Sequence, residues 1–356
     1  MEADSTTYEN TKLLNEDCFP FAVSPENLEL YREFIENNGE KRLEHQLVER
    51  LQAFGLLPNS VQCLSDSPEC KVVKKAARVI DKVQWYCEGC KKRQPIRTRS
   101  FFMRLQCSLL QSLQMILAWC EDADCTAAAE HFNVKPRVGT LIYDRLDELS
   151  AKEQSNYRLG GAGSVVLAEL YPACLTRLSP DTTDTTDTTD TTDLPHVHTV
   201  LMLADTNHIP THYQLHVIRD DLKKKNAPVD SADDEALKAE LEEVISRVIA
   251  PSSTLVVSNN LPIEGAHSMQ QLFQYTDNHM QQFLSTRIWR QAVSLCAASR
   301  ELCAGARACA RSVQRYLCAA LYRLRARALY RRVLILIALC CTDADTDTDT
   351  DNDDVP

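Results

Sequence analysis

Between residues 58 and 105 the chain loses the helical spacing that precedes and follows it, and this interruption limits its possible folds more than any other feature. Upstream, Leu28, Leu30, Phe34, Ile35, Leu43, Leu47, Val48, Leu51 and Phe54 recur largely three and four residues apart, so residues 25–57 read as helical with Gly55 as a stop. Downstream, Leu105, Leu109, Leu110, Leu113, Ile116 and Leu117 form one helical face. Between them come Pro58, four cysteines and the β-prone run Val83-Gln84-Trp85-Tyr86. The interval is expected to be a small module that metal staples, or once stapled.

Within it, Cys87-Glu88-Gly89-Cys90 has the spacing of a metal knuckle, since a two-residue gap lets both thiolates reach one zinc at about 2.3 Å. The second pair of ligands falls to Cys63 and Cys70, whose six-residue gap exceeds the usual two to four. A tetrahedral zinc site and four buried or idle thiols both fit this pattern. The chain holds 15 cysteines, yet it opens on the polar, acidic MEADSTTYENTKLL, without the basic and apolar regions of a signal peptide. Reduced, intracellular thiols are therefore expected.

The net charge of -11 conceals a segregated pattern. From Lys71 to Arg104 there are eleven Lys/Arg against two acids, Asp81 and Glu88. Screening limits the reach of more distant acids to about 8–10 Å, so Lys91, Lys92, Arg93, Arg97 and Arg99 are candidates to hold phosphate. The same residues could simply form a solvated basic face. Beyond them, Ala127–Phe132 and Val138–Leu149 read as two helices across a tight turn. The alanines permit a close crossing, and Lys135, Arg137, Thr140 and Tyr143 decorate the second helix. Its N-terminal residues would meet base edges and phosphates if it entered a major groove; an ordinary helical hairpin is the alternative.

From Tyr157 a Gly-rich entry, Gly160-Gly161-Ala162-Gly163, leads into the β-run Ser164–Tyr171. Further strands are expected at His198–Ala204, Tyr213–Ile218 and Thr254–Ser258, with a helix over Leu237–Ile249, which is an α/β order. The Asp-Thr-Thr repeat of 181–193 and the Asp-Thr repeat of 342–351 have nothing apolar to bury and are expected to be disordered. Residues 285–341 hold eleven arginines, one acid (Glu301) and six cysteines, and read as a long basic helix. The run Val333–Cys341 is about half of the roughly 20 residues a membrane helix needs. No Walker loop, dinucleotide fingerprint, nucleophile elbow or zincin pattern occurs. His196, His198, His208, His212 and His216 would scatter over both faces of their strands and are not read as ligands.

The order of these pieces resembles the ISXO-type transposases of the Merlin superfamily. The resemblance rests on Gly55-Leu56-Leu57-Pro58, Trp85-Tyr86-Cys87-x-x-Cys90, Arg97-Thr98-Arg99-Ser100-Phe101-Phe102, the paired helices and Leu159-Gly160-Gly161-Ala162-Gly163-Ser164-Val165-Val166, and covers roughly residues 44–283. It implies a zinc ribbon, a helix-turn-helix and an RNase H-like domain. In that domain two aspartates and a third acid hold two divalent metals about 3.5–4 Å apart for in-line attack on phosphate. The first aspartate position is here Glu169 and the second Asn259. Glutamate is a methylene longer, asparagine carries no charge and binds Mg²⁺ poorly, and no residue matches the third acid. The resemblance thus implies a site that no longer catalyses.

The expected fold class is α/β. A helical N-terminal region (1–57), a zinc-ribbon-like module (58–104) and a helix-turn-helix (105–150) precede a degenerate RNase H-like domain (157–283). An Arg-rich helical segment (284–341) and an acidic tail (342–356) follow. The expected function is that of a transposase-derived, nuclear DNA-binding protein without strand-transfer activity, holding structural zinc, with no membrane association and with homo-oligomerisation open to it. Two alternatives stand beside it: an active Merlin-type transposase that uses Mg²⁺, and a non-enzymatic protein whose basic C-terminal helix docks an acidic partner.

Overall fold

The computed structural model describes residues 19–37, 39, 42–65, 69–171, 199–205, 213–218, 232–257, 261, 263, 265–268, 277–279, 310–325 and 328–343. Among these the chain is mixed α/β, with eight helices and two sheets. In chain order the elements are α1 (Pro25–Ile35), α2 (Leu43–Phe54), β1 (Val72–Ala76), β2 (Val83–Cys87), β3 (Arg93–Pro95), α3 (Leu109–Cys120), α4 (Cys125–His131) and α5 (Pro136–Ser155). There follow β4 (Val165–Tyr171), β5 (Val200–Asp205), β6 (Tyr213–Val217), α6 (Ala232–Val248), β7 (Thr254–Val257), β8 (His267–Ser268), α7 (Ala310–Arg325) and α8 (Leu329–Asp343). They fall into two compact units, Met1–Leu149 with Arg325–Pro356, and Ser150–Leu324.

In the first unit the helical period of 25–57 is divided between α1 and α2. Asn37 supplies part of the reason: its side-chain oxygen accepts from Gly39 N–H at 2.9 Å and Gln46 Nε2 at 3.0 Å, a local alternative to helical hydrogen bonding. The expected stop at Gly55 is realised, with φ 91° and Leu56 N–H donating to Leu51 O at 2.8 Å. The start of α1 is held from outside by Glu121, just past α3. Its Oε1 accepts from Ser24 N–H at 2.9 Å, Ser24 Oγ at 2.8 Å and Asn27 Nδ2 at 2.8 Å. At α3, Ser108 and Gln111 form a reciprocal capping box.

The C-terminal Arg-rich segment differs from the expected continuous basic helix. Residues 285–309 lie outside the described ones; the remainder forms α7 and α8, with Ala328 between them at φ 47°. In α8 the residues Leu329, Tyr330, Val333, Leu334 and Ile337 recur at helical spacing and are buried, while Arg331 and Arg332 are exposed. An apolar stripe of that kind gains by leaving water, so α8 packs on α1 and α3 within the first unit. Tyr330 N–H donates to the buried Asn27 Oδ1 at 3.0 Å, joining residues 303 positions apart.

The second unit is built on a five-stranded sheet of order β6-β5-β4-β7-β8. The pairs β4/β5 and β5/β6 are antiparallel, and β4/β7 and β7/β8 are parallel. On one face Val166, Ala168, Leu201 and Leu203 share a core with Leu241, Val244 and Val248 of α6. His216 sits on this side, where its Nε2 lies 2.9 Å from Glu240 Oε1 of α6. The β6 edge is covered by one side chain of α7: Gln314 accepts from Val217 N–H at 2.6 Å and donates to Leu215 O at 2.9 Å. Its amide stands in for a further strand and blunts an edge open to pairing. The repeat of 181–193, the tail from 344 onward, Glu301, and His196, His198, His208 and His212 lie outside the described residues.

Candidate metal centre and basic surface

The three-stranded sheet, of order β1-β2-β3, alternates in exposure along β2, with Val83, Trp85 and Cys87 inward and Gln84 and Tyr86 outward. Register sets Val72 opposite Cys87 and Arg93 opposite Tyr86. Cys87 therefore ends the strand pointing inward, and the turn that follows carries Cys90. Cys87 N–H donates to Lys92 O at 2.9 Å and Lys91 N–H to Cys87 O at 3.0 Å, while Lys91 itself takes φ 64°. Gly89 has no alternative here, since a Cβ on it would lie 2.5 Å from Glu69 O. That close approach brings the backbone before β1 over the turn, and Glu88 N–H donates to Lys71 O at 2.8 Å.

The sulfurs of Cys63, Cys70, Cys87 and Cys90 consequently all lie within 4.8 Å of one another, and could hold a metal ion. Four ligands about 2.3 Å from one tetrahedral ion sit roughly 3.8 Å apart, so the cluster has the required dimensions. The Cys63–Cys90 pair, at 3.2 Å, would have to open slightly to hold one. The wide gap between Cys63 and Cys70 does not prevent convergence. Among the described residues no other group of three or more His, Cys, Asp or Glu is placed to hold a metal.

The site is charged for a cation. Donation from Lys92 N–H, and then from Ser65 and Cys63, lowers the Cys90 thiol to about 6, so its thiolate predominates at neutral pH. Burial works against Cys87, yet the N–H of Cys90 and the thiol of Cys70 bring it below its ordinary value. Cys125, in the crevice between α4 and α5, is the opposite case, pushed up to about 11 by burial.

The outward face of this sheet is cationic and aromatic. Lys75 Nζ stands 4.1 Å from the centre of the Tyr86 ring and Lys91 Nζ 6.0 Å from it, with Arg93 beside it in register. Lys91, Lys92, Arg93 and Arg99 are all exposed, and Lys91 Nζ also donates to Glu88 O at 2.6 Å. Arg97 corrects the expectation that it lies on this surface. It is 4% exposed and its guanidinium pairs with the equally buried Asp81, through Nε to Oδ2 at 2.6 Å and through Nη2 to Oδ1. Nη1 donates to Leu105 O at 3.0 Å and Nη2 to Cys107 O at 2.7 Å, so all three guanidinium nitrogens are engaged inside the fold. Sequence charge counting missed Asp81 as a partner because the two residues are 16 positions apart with no periodic relation.

At the second helical pair, α4 ends at His131, Asn133 takes φ 53°, and α5 begins at Pro136. A Cβ on Gly139 would lie 3.1 Å from Ala129 Cβ and 3.2 Å from Met115 Cε, so the two helices approach closely at this glycine. Asp124 caps α4 by accepting from Ala127 N–H at 2.8 Å, and Tyr143 Oη donates to Ala123 O at 3.1 Å. Lys135, Arg137 and Thr140 are exposed around the first turn of α5, while Val138 and Ile142 are buried behind them.

Glu169 lies on β4, half-buried, opposite Met202, which in turn faces Leu215. Its row on the sheet is apolar, on the face away from α6. The acid that closes β5, Asp205, is 1% exposed and accepts from Gly160 N–H at 3.0 Å, which ties down the glycine entry to β4. Asn259 lies outside the described residues. The chain matches no protein-family model, no curated protein and no solved structure.

Proposed function

We propose that this chain is a transposase-derived DNA-binding protein without strand-transfer activity. In this reading Cys63, Cys70, Cys87 and Cys90 hold a structural zinc, the ion suited to four thiolates in a tetrahedron. The module is then a zinc ribbon and α4–α5 a helix-turn-helix. The strand order of the second unit, three antiparallel strands followed through a helix by two parallel ones, is that expected of an RNase H-like sheet.

The single observation that carries the proposal is the start of α5. The Gly139 crossing brings α5 close to α4, and Lys135, Arg137 and Thr140 are left exposed around the start of α5, where a recognition helix meets phosphates and base edges. Catalysis is not part of the reading, because Glu169 and Asn259 stand where the resemblance calls for aspartates. A mobility-shift titration of duplex DNA tests it. Lys135→Ala/Arg137→Ala should weaken binding about tenfold or more, as lost phosphate contacts do, and flatten its dependence on salt. Equal binding by wild type and variant would remove α5 from the interface.

A further inference from the structure

A cavity of about 420 Å³ opens in the first unit between the loop leading from β3 to α3, the middle of α5 and the last turns of α8. Arg99, Arg104 and Arg145 line it with a single acid, Glu148; Phe101 and Ile337 are among its apolar walls. Its size lies within the roughly 300–1,000 Å³ of small-molecule sites.

The loop is held from beneath and from the side. Arg97 grips Leu105 O and Cys107 O below it, and Phe102 is fully buried. Arg145 reaches across from α5 to donate to Phe101 O at 2.5 Å and Met103 O at 3.3 Å. Between these anchors Arg99 and Arg104 both take left-handed backbone, at φ 57° and 66°, which arginine seldom adopts. The loop backbone thus places two exposed arginines beside a third, Arg145, whose ionisation is weakened first by burial and then by Arg104. Like charges held together with one acid among them favour an anion, and guanidinium forks match phosphate oxygens. Phe101, whose ring centre is 5.8 Å from Arg145 Cζ, adds a flat apolar surface.

We infer that this cavity binds a nucleotide, its phosphate held by Arg99 and Arg104 and its base laid against the Phe101 wall. The inference rests on the DNA-binding reading only for the source of the ligand, which is either a free mononucleotide or the 5′-phosphorylated end of a DNA strand. Arg145 and Arg97 are positioning residues that hold the loop.

Calorimetric titration of the full-length, zinc-loaded protein with deoxyadenosine 5′-monophosphate, and with a 5′-phosphorylated single-stranded oligonucleotide beside its unphosphorylated form, tests the site. Arg99→Gln and Arg104→Gln, each with an unchanged unfolding midpoint, should weaken binding by about tenfold, the loss expected of one charge-assisted hydrogen bond. Saturable mononucleotide binding with that loss assigns a free nucleotide. Binding of the phosphorylated oligonucleotide alone, with the same loss, assigns a strand end. Absence of both, or binding that neither variant changes, overturns the site. Lys135→Ala/Arg137→Ala separates the two proposals, since it should weaken duplex binding and leave the mononucleotide titration unchanged.

Discussion

The cysteine cluster of the first unit, gathered at the end of β2, and the Glu169 row of the second, on β4, differ in what surrounds the reactive group. At the cluster, four sulfurs from two chain segments converge within 4.8 Å, a glycine makes room for the approach, and amide donors favour the thiolate. At Glu169 one half-buried carboxylate shares its row with Met202 and Leu215. Strand order can be retained by apolar burial alone, as it is around Val166, Ala168 and Leu241, whereas a metal site needs several charged ligands brought to one point. On the transposase-derived reading proposed above, the second unit would keep an architecture without its chemistry.

The largest expected effect that sharpens this contrast is at the cluster. Cys87→Ser should reduce bound metal, measured by elemental analysis, from one ion per chain to none and lower the unfolding midpoint, because metal binding is coupled to folding of such modules. Full metal content in that variant would break the comparison. Next comes Arg97→Ala, which strands the buried Asp81 carboxylate and should cost about 3–5 kcal/mol in denaturant unfolding. Gly139→Val forces a branched side chain into the Ala129–Met115 contact and should cost about 1–3 kcal/mol. The smallest effect belongs to Glu169→Ala, expected to shift stability by less than about 1 kcal/mol.

A pH series sharpens the contrast among the cysteines themselves. A thiol lowered to about 6 is mostly thiolate near neutrality, and one raised to about 11 stays protonated there. In metal-stripped protein, alkylation followed by mass spectrometry should mark Cys90 near pH 7 and leave Cys125 unmodified until strongly alkaline pH. Equal reactivity at neutral pH would contradict the electrostatics assigned to the two sites.

What the sequence made legible follows from the range of each signal. The knuckle Cys87-x-x-Cys90, the β-run at Val165–Val166 and the stop at Gly55 are local patterns, and each has its counterpart in the fold. Asp81 beneath Arg97, Glu121 on the start of α1, and Asn27 against Tyr330 are pairings across 16, 94 and 303 positions, set by packing, and no periodicity announces them. The turn at Ala328 has neither glycine nor proline to mark it, so α7 and α8 read as one helix. The basic count over 71–104 gave the sign of the surface, but could not separate the buried Arg97 from its exposed neighbours Arg93 and Arg99.

The most direct test of the proposed DNA binding without cleavage is one titration of the zinc-loaded full chain with nicked-substrate controls. Duplex binding is measured between roughly 50 and 200 mM salt, and the retained DNA is then incubated with Mg²⁺ or Mn²⁺. Binding that weakens steeply with salt, and DNA that stays intact, is the expected result. Binding absent at low salt, or nicking that disappears in Glu169→Ala, would contradict it.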